Sequence, residues 1–159
     1  MAGHRYLFLL FCLFGFSHLS GQMVVGADTL IGNEWITYGQ KYFKFTIDID
    51  GVYRIPQSTL TSAGVSSSAT GSEIRIYSMG QQVPLYVSTD GVLGANDFIE
   101  FYGFKNKSEL DWHLFRHPDT DLLHPGHSMY TDQRVYYLTT EGDEQPLRVN
   151  TLVNDISNP

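Results

Sequence analysis

Downstream of residue 34 the apolar side chains recur at every second position in short runs, and turn residues break each run. That period is the signature of strands, and it leaves room for little helix. In residues 42–49, Phe43, Phe45, Ile47 and Ile49 fall on one side while Lys44, Thr46 and Asp48 fall on the other. A strand with one buried and one wet face carries such an order. Residues 35–38 alternate in the same way and are read as a strand of the same kind.

The turns set the order of the elements. Asp50-Gly51 suits a tight hairpin turn, so residues 52–55 are expected to fold back on the strand ending near Ile49. Residues 56–64 change period: Pro56 suits a first helical position, Leu60 and Ala63 lie about one turn apart, and Gly64 can close the end. One short helix is predicted there, followed by a Ser/Gly-rich loop over 66–72. Residues 73–77 and 83–87 then flank Met79-Gly-Gln-Gln82 as a second hairpin. Pro84 has no N–H for a ladder and belongs at an edge or facing outward. Residues 97–102 and 134–139 read as further strands, and 147–153 as the start of another. Short strands, frequent turns and one short helix predict an all-β fold, an antiparallel β-sandwich or a partly closed barrel.

The first 21 residues are of another kind. His4 and Arg5 precede an apolar run over 6–16, bounded by Ser17, Ser20 and Gly21. A weakly basic start, a short apolar core and small residues behind it predict a secretory signal peptide. A membrane-spanning helix would need about 20 apolar residues, and this run is interrupted earlier. Cleavage after Gly21 is preferred, with cleavage after Ala27 second and an uncleaved anchor as the alternative. The expected organisation is a signal peptide at 1–21, a flexible segment at 22–34, a β-rich domain at 35–153, and at 154–159 a truncated tail or linker to a missing domain.

Removing the leader takes away one basic residue and no acidic one, which moves the net charge from −7 to −8. No basic surplus is left to grip nucleic acid or an anionic membrane surface. The single cysteine, Cys12, lies in the leader. The mature chain therefore has neither disulfide nor thiol nucleophile, and no catalytic residue is assigned.

The segments DGVYRI, SAGV, EIRIYSMGQQVPLYV, DGVLGANDFIEFYG and HSMYTDQRVYYLT occur in this order between Trp35 and Thr140. In that order they resemble the N-terminal region of the PorU family, the type IX secretion signal peptidases (sortases), and of related gingipain-type cysteine peptidases of Bacteroidetes. In that family the region precedes a caspase-like catalytic domain with a histidine and cysteine dyad. The resemblance implies a non-catalytic, prosegment-like or scaffold domain of an exported cysteine peptidase. Its partners would be the parent's catalytic domain and an outer-membrane secretion partner, in the periplasm, on the outer-membrane surface or outside the cell. A secreted β-sandwich binding or adhesion module, for carbohydrate or protein, is the alternative.

Three groups of residues invite chemistry. His113 and His117 are four apart, with His124 and His127 following, which on a helix would suit zinc. Leu114 stands where a metalloprotease helix carries its glutamate, and Pro118, Pro125 and Gly126 favour an irregular loop. Asp90, Asn96 and Asp97, with Glu100 as a further oxygen donor, invite calcium, which takes about six to eight oxygen ligands, but Asp-Gly and Asn-Asp also make ordinary turns. Residues 141–144 read as a wet turn rather than a carboxylate pair, and no cofactor is expected. A metal-dependent hydrolase on the histidine loop is the third functional class. Tyr53, Tyr77, Tyr86, Phe101 and Tyr102 are core by alternation, with a contact face as the second reading. Asn106-Lys-Ser108 matches a glycosylation acceptor, a signal idle in a bacterium.

Overall fold

The structure, a computed structural model, describes residues 24–25, 28–29, 35–109, 111–124 and 126–149. The expected signal peptide, its cleavage sites, the tail at 154–159 and the end of the last expected strand lie outside them. The chain divides into two units, Met1–Glu34 and Trp35–Pro159. In the first, β1 (Val24–Val25) pairs antiparallel with β2 (Asp28–Thr29).

The second unit is a β-sandwich that does not close into a barrel. Its strands are β3 (Phe43–Ile47), β4 (Gly51–Pro56), β5 (Arg75–Ser78), β6 (Gln81–Gln82), β7 (Leu85–Val87), β8 (Phe98–Gly103) and β9 (Arg134–Thr139). One sheet has the order β3-β9-β5-β6, the other β4-β8-β7, and every ladder is antiparallel. The inner faces meet through Ile47, Ile76, Tyr136 and Leu138 from the first sheet and Leu85, Ile99 and Phe101 from the second. Phe101 spans the layers, its ring 5.9 Å from Phe45 and 5.7 Å from Tyr136. Tyr136 is 1% exposed, and its hydroxyl is satisfied twice: it accepts from the Phe104 N–H (2.7 Å) and donates to the Phe104 carbonyl (2.9 Å).

Both expected hairpins need correction. Asp50-Gly51 turns the chain, but β3 and β4 do not pair. The chain changes sheets there, β3 joining β9 and β4 joining β8. The Asp50 carboxylate holds the crossing by accepting from the Lys105 N–H (2.7 Å), and the Tyr53 hydroxyl donates to the Ile49 carbonyl (2.7 Å). Ile49 consequently leaves the core side and is 68% exposed. In the second case β5 and β6 form a two-residue hairpin with Met79 (φ +51) and Gly80 (φ +78) in the turn. Positive φ at both positions matches the twist of the flanking strands. The bonding runs to Val83 N–H on Ile76 O (2.8 Å) and stops at Pro84, after which β7 enters the other sheet. A proline that cannot donate is where a chain can leave a ladder.

Residues 35–38 form no strand. Trp35 instead lays its indole over the outer face of the four-stranded sheet, stacked on Tyr77 (5.3 Å) and beside Tyr42 and Tyr137. The predicted short helix is present as α1 (Gln57–Ser62), with Pro56 at its N-cap, Leu60 buried and Gly64 at φ +95 closing it; Ala63 stays exposed. Residues 147–149 add to β7 as a parallel bridge, Leu85 N–H to Leu147 O (3.2 Å) and Val149 N–H to Leu85 O (3.1 Å). Arg75 is buried and gives its guanidinium to the carbonyls of Glu73, Gly142 and Glu144. The 141–144 turn thereby closes onto the sheet. Among the described residues no helix is long and apolar enough to cross a membrane.

Candidate functional site

Period two gives each strand of the three-stranded sheet a second face. Opposite the buried Ile99 and Phe101, β8 presents Phe98, Glu100 and Tyr102. The register sets Val52 beside Tyr102, Arg54 beside Glu100 and Tyr86 beside Glu100. Val52, Tyr86 and Tyr102 are exposed, as is Phe104 just past the strand end. Rings continue along the face: Tyr86 lies 6.1 Å from Phe98, and Tyr102 meets Phe104 edge-on at 4.9 Å. Arg54 sits over Phe98 at 4.0 Å and reaches Glu100 through Nε (2.7 Å), while Lys107 lies 5.1 Å above Phe104 and 3.4 Å from Asp50. The Lys105 N–H, chiefly, and Lys107 hold the Asp50 carboxyl below the ordinary carboxylate range.

Beside Tyr102 and Phe104 the two sheets part around a cleft of about 450 Å³, bordered also by Gln82, Pro84, Arg134 and Tyr136. Arg134 pairs with Glu109 through Nη2 (2.8 Å), and its Nε is buried with no partner among the described residues. Such an arrangement can stack flat or apolar groups and donate a hydrogen bond from Arg134.

Of the five aromatics singled out by sequence, Phe101 and Tyr77 are buried, Tyr53 is half-buried, and Tyr86 and Tyr102 face outward. Tyr77 is covered by Trp35 rather than by the core. Burial, then the hydrogen bond to Glu144, raises the pKa of its hydroxyl well above the ordinary tyrosine value. Phe98, Phe104, Val52 and Arg54 were missed. The alternation in residues 98–102 marks Phe98 and Tyr102 as sharing a face, but only the register reveals their neighbours on β4.

The histidines do not share a helix. His113 lies in a 3₁₀ turn (Trp112–Leu114), the backbone is extended at Phe115, and His117 caps α2 (Pro118–Asp121). Its N–H is held by Asp121 (3.1 Å). His124 and His127 lie exposed in the loop beyond. Asp97 spends its carboxylate on the Gly94 N–H (2.7 Å) and the Ser88 hydroxyl (2.8 Å), which hold its pKa low, while Asp90 is exposed and Glu100 is committed to Arg54. Among the described residues no three His, Cys, Asp or Glu side chains converge on a point where a metal could sit. Asn106 is 6% exposed, with its amide donating to Thr131 O (3.0 Å), so the folded chain presents no free Asn106 amide at its surface. The chain matches no protein-family model, no curated protein and no solved structure.

Proposed function

We propose that this chain is the non-catalytic N-terminal domain of an exported gingipain-like cysteine peptidase or sortase of type IX secretion, and that its aromatic sheet face seats the parent's catalytic domain. The ordered motifs between Trp35 and Thr140 support the family. The face built by Val52, Tyr86, Phe98, Tyr102 and Phe104 supports the docking role, and it is the observation that carries this reading. Aromatic rings with a wet rim of ion pairs are the composition favoured at protein contacts, where Tyr and Arg dominate the energy. Docking there would place the catalytic dyad on the partner and leave this domain as a cover or scaffold.

The test has two stages. The transcript is sequenced past codon 159, where an open frame reaching a His and Cys segment supports the assignment and an immediate stop overturns it. The catalytic segment is then mixed with this domain carrying Tyr102→Ala and Phe104→Ala. Loss of association, with folding intact by circular dichroism, supports the docking face, and undiminished association removes it.

The cleft beside Tyr102 and Phe104 favours one second reading, a secreted module that binds carbohydrate or protein. Aromatic rings beside Arg134, whose buried Nε has no partner among the described residues, offer both stacking and a hydrogen-bond donor. Calorimetric titration with an oligosaccharide panel separates the two. Heat that disappears with Tyr102→Ala favours the module.

A further inference from the structure

A second surface lies at the opposite side of the sandwich, where the sheets part between β3 and β4. Here a groove of about 220 Å³ is walled by Phe43, Phe45, Ile55, Leu60, Val65 and Leu138. Both bordering strands are sheet edges, since β3 pairs only with β9 and β4 only with β8 among the described residues. In an antiparallel ladder an edge strand turns the N–H and C=O groups of alternate residues away from its partner, ready for another strand.

The other edges are less available. β6 has two residues, and β7 already bonds residues 147–149. β4 begins at Gly51 and ends at Pro56, which cannot donate. β3 has five residues, FKFTI, with neither glycine nor proline.

Charge indicates what would add there. The chain carries a net charge of −7, yet the described residues bordering this groove include Lys44 and Arg54 and no acidic one; Arg54 is already paired with Glu100, which leaves Lys44 as the cation of this border. Lys41, just before the strand, sits 4.6 Å over the Phe43 ring and bonds the Gly64 carbonyl. Lys44 lies on the outer face beside Tyr137, and Phe43 and Phe45 lie on the inner face. A strand laid along β3 would therefore set one face against the groove and the other beside Lys44.

We infer that the β3 edge receives an extended peptide in which apolar and acidic residues alternate. The apolar set enters the groove, the acidic set pairs across the strands with Lys44, and the backbone extends the four-stranded sheet by one strand. This surface meets the aromatic face at Arg54, which borders both, but its edge strand β3 takes no part in that face, and the inference stands whether or not that face seats a catalytic domain.

The experiment uses two labelled seven-residue peptides, capped at both ends, one alternating glutamate with isoleucine and the other lysine with isoleucine. Anisotropy titrations run against the full chain and against Lys44→Glu, a substitution at an exposed position. The glutamate peptide is expected to bind at least about tenfold more tightly than the lysine peptide, and Lys44→Glu is expected to reverse the order. Hydrogen exchange should slow at the β3 amides on binding and stay unchanged at β6. Equal binding of both peptides, protection at another edge, or no binding up to about 1 mM overturns the inference. In the last case Lys44 serves only to keep other strands off this edge.

Discussion

Replacing Tyr136 by phenylalanine removes one oxygen atom and keeps the ring between Phe45 and Phe101. The loss falls on Phe104, whose N–H and C=O both bond that oxygen, at 2.7 and 2.9 Å. Each such bond contributes about 1 kcal/mol net, and a buried partner left unsatisfied costs about 1–3 kcal/mol. Phe104 is 44% exposed, so water can reach part of its backbone, and the lower end of that range applies. The expected loss is about 2 kcal/mol, or about 8 °C in Tm for a domain of this size. Urea unfolding followed by circular dichroism should show a lower midpoint with an unchanged slope, because the surface exposed on unfolding is the same. Amide exchange at Phe104 should accelerate along with it. A loss under about 0.5 kcal/mol with exchange at Phe104 unchanged would refute the reasoning, since the hydroxyl would then not be what ties the strand-end loop to the core.

Three further outcomes follow from particular contacts. A Cβ at Gly71 would lie 1.9 Å from the Thr89 carbonyl oxygen, whereas one at Gly103 would meet the movable Cδ1 of Ile47 at 2.5 Å. Gly71→Ala should therefore cost about 3 kcal/mol or more and Gly103→Ala less, both measured by thermal melts; the reverse order would refute the distinction. Met79 pays for a left-handed backbone (φ +51), so Met79→Asn should raise stability by about 0.5–1 kcal/mol in the same melts. Stability should fall at both ends of the pH scale. Asp97, held low by the Gly94 N–H and Ser88, and Glu144, held low by Tyr77 and Gln82, stabilise the fold above the ordinary carboxylate pKa of about 4 and lose that contribution as pH falls through their folded values. Tyr77, raised by burial and Glu144, stabilises fully below about pH 10 and loses its contribution as pH rises beyond. Tyr77→Phe should flatten the alkaline decline of Tm and weaken the acid one, and an alkaline slope identical to the parent's would exclude Tyr77 as its source.

The alternation in residues 43–47, 98–103 and 134–139 fixes those strands and their buried faces, because a strand with one wet side must alternate. Pro56, Leu60 and Gly64 place the helix by the same local logic. Cys12 is the single cysteine of the sequence, so residues 13–159 can offer no thiol whatever their fold. Partner choice is different, since nothing local in Asp50-Gly51 tells a hairpin from a crossing between sheets. The outcome depends on Lys105, 55 residues away, whose N–H takes the Asp50 carboxylate, and on β8 and β9 arriving to pair with β4 and β3. The likeness of residues 35–38 to a strand is likewise overridden by the tyrosines of the four-stranded sheet, which hold the Trp35 indole flat against it. The aromatic face and the groove at the β3 edge exist only once the sheets are assembled, because each joins residues from elements far apart in the chain. Burial is legible one strand at a time, whereas a surface is made by the register between strands, and register is decided by the whole sandwich.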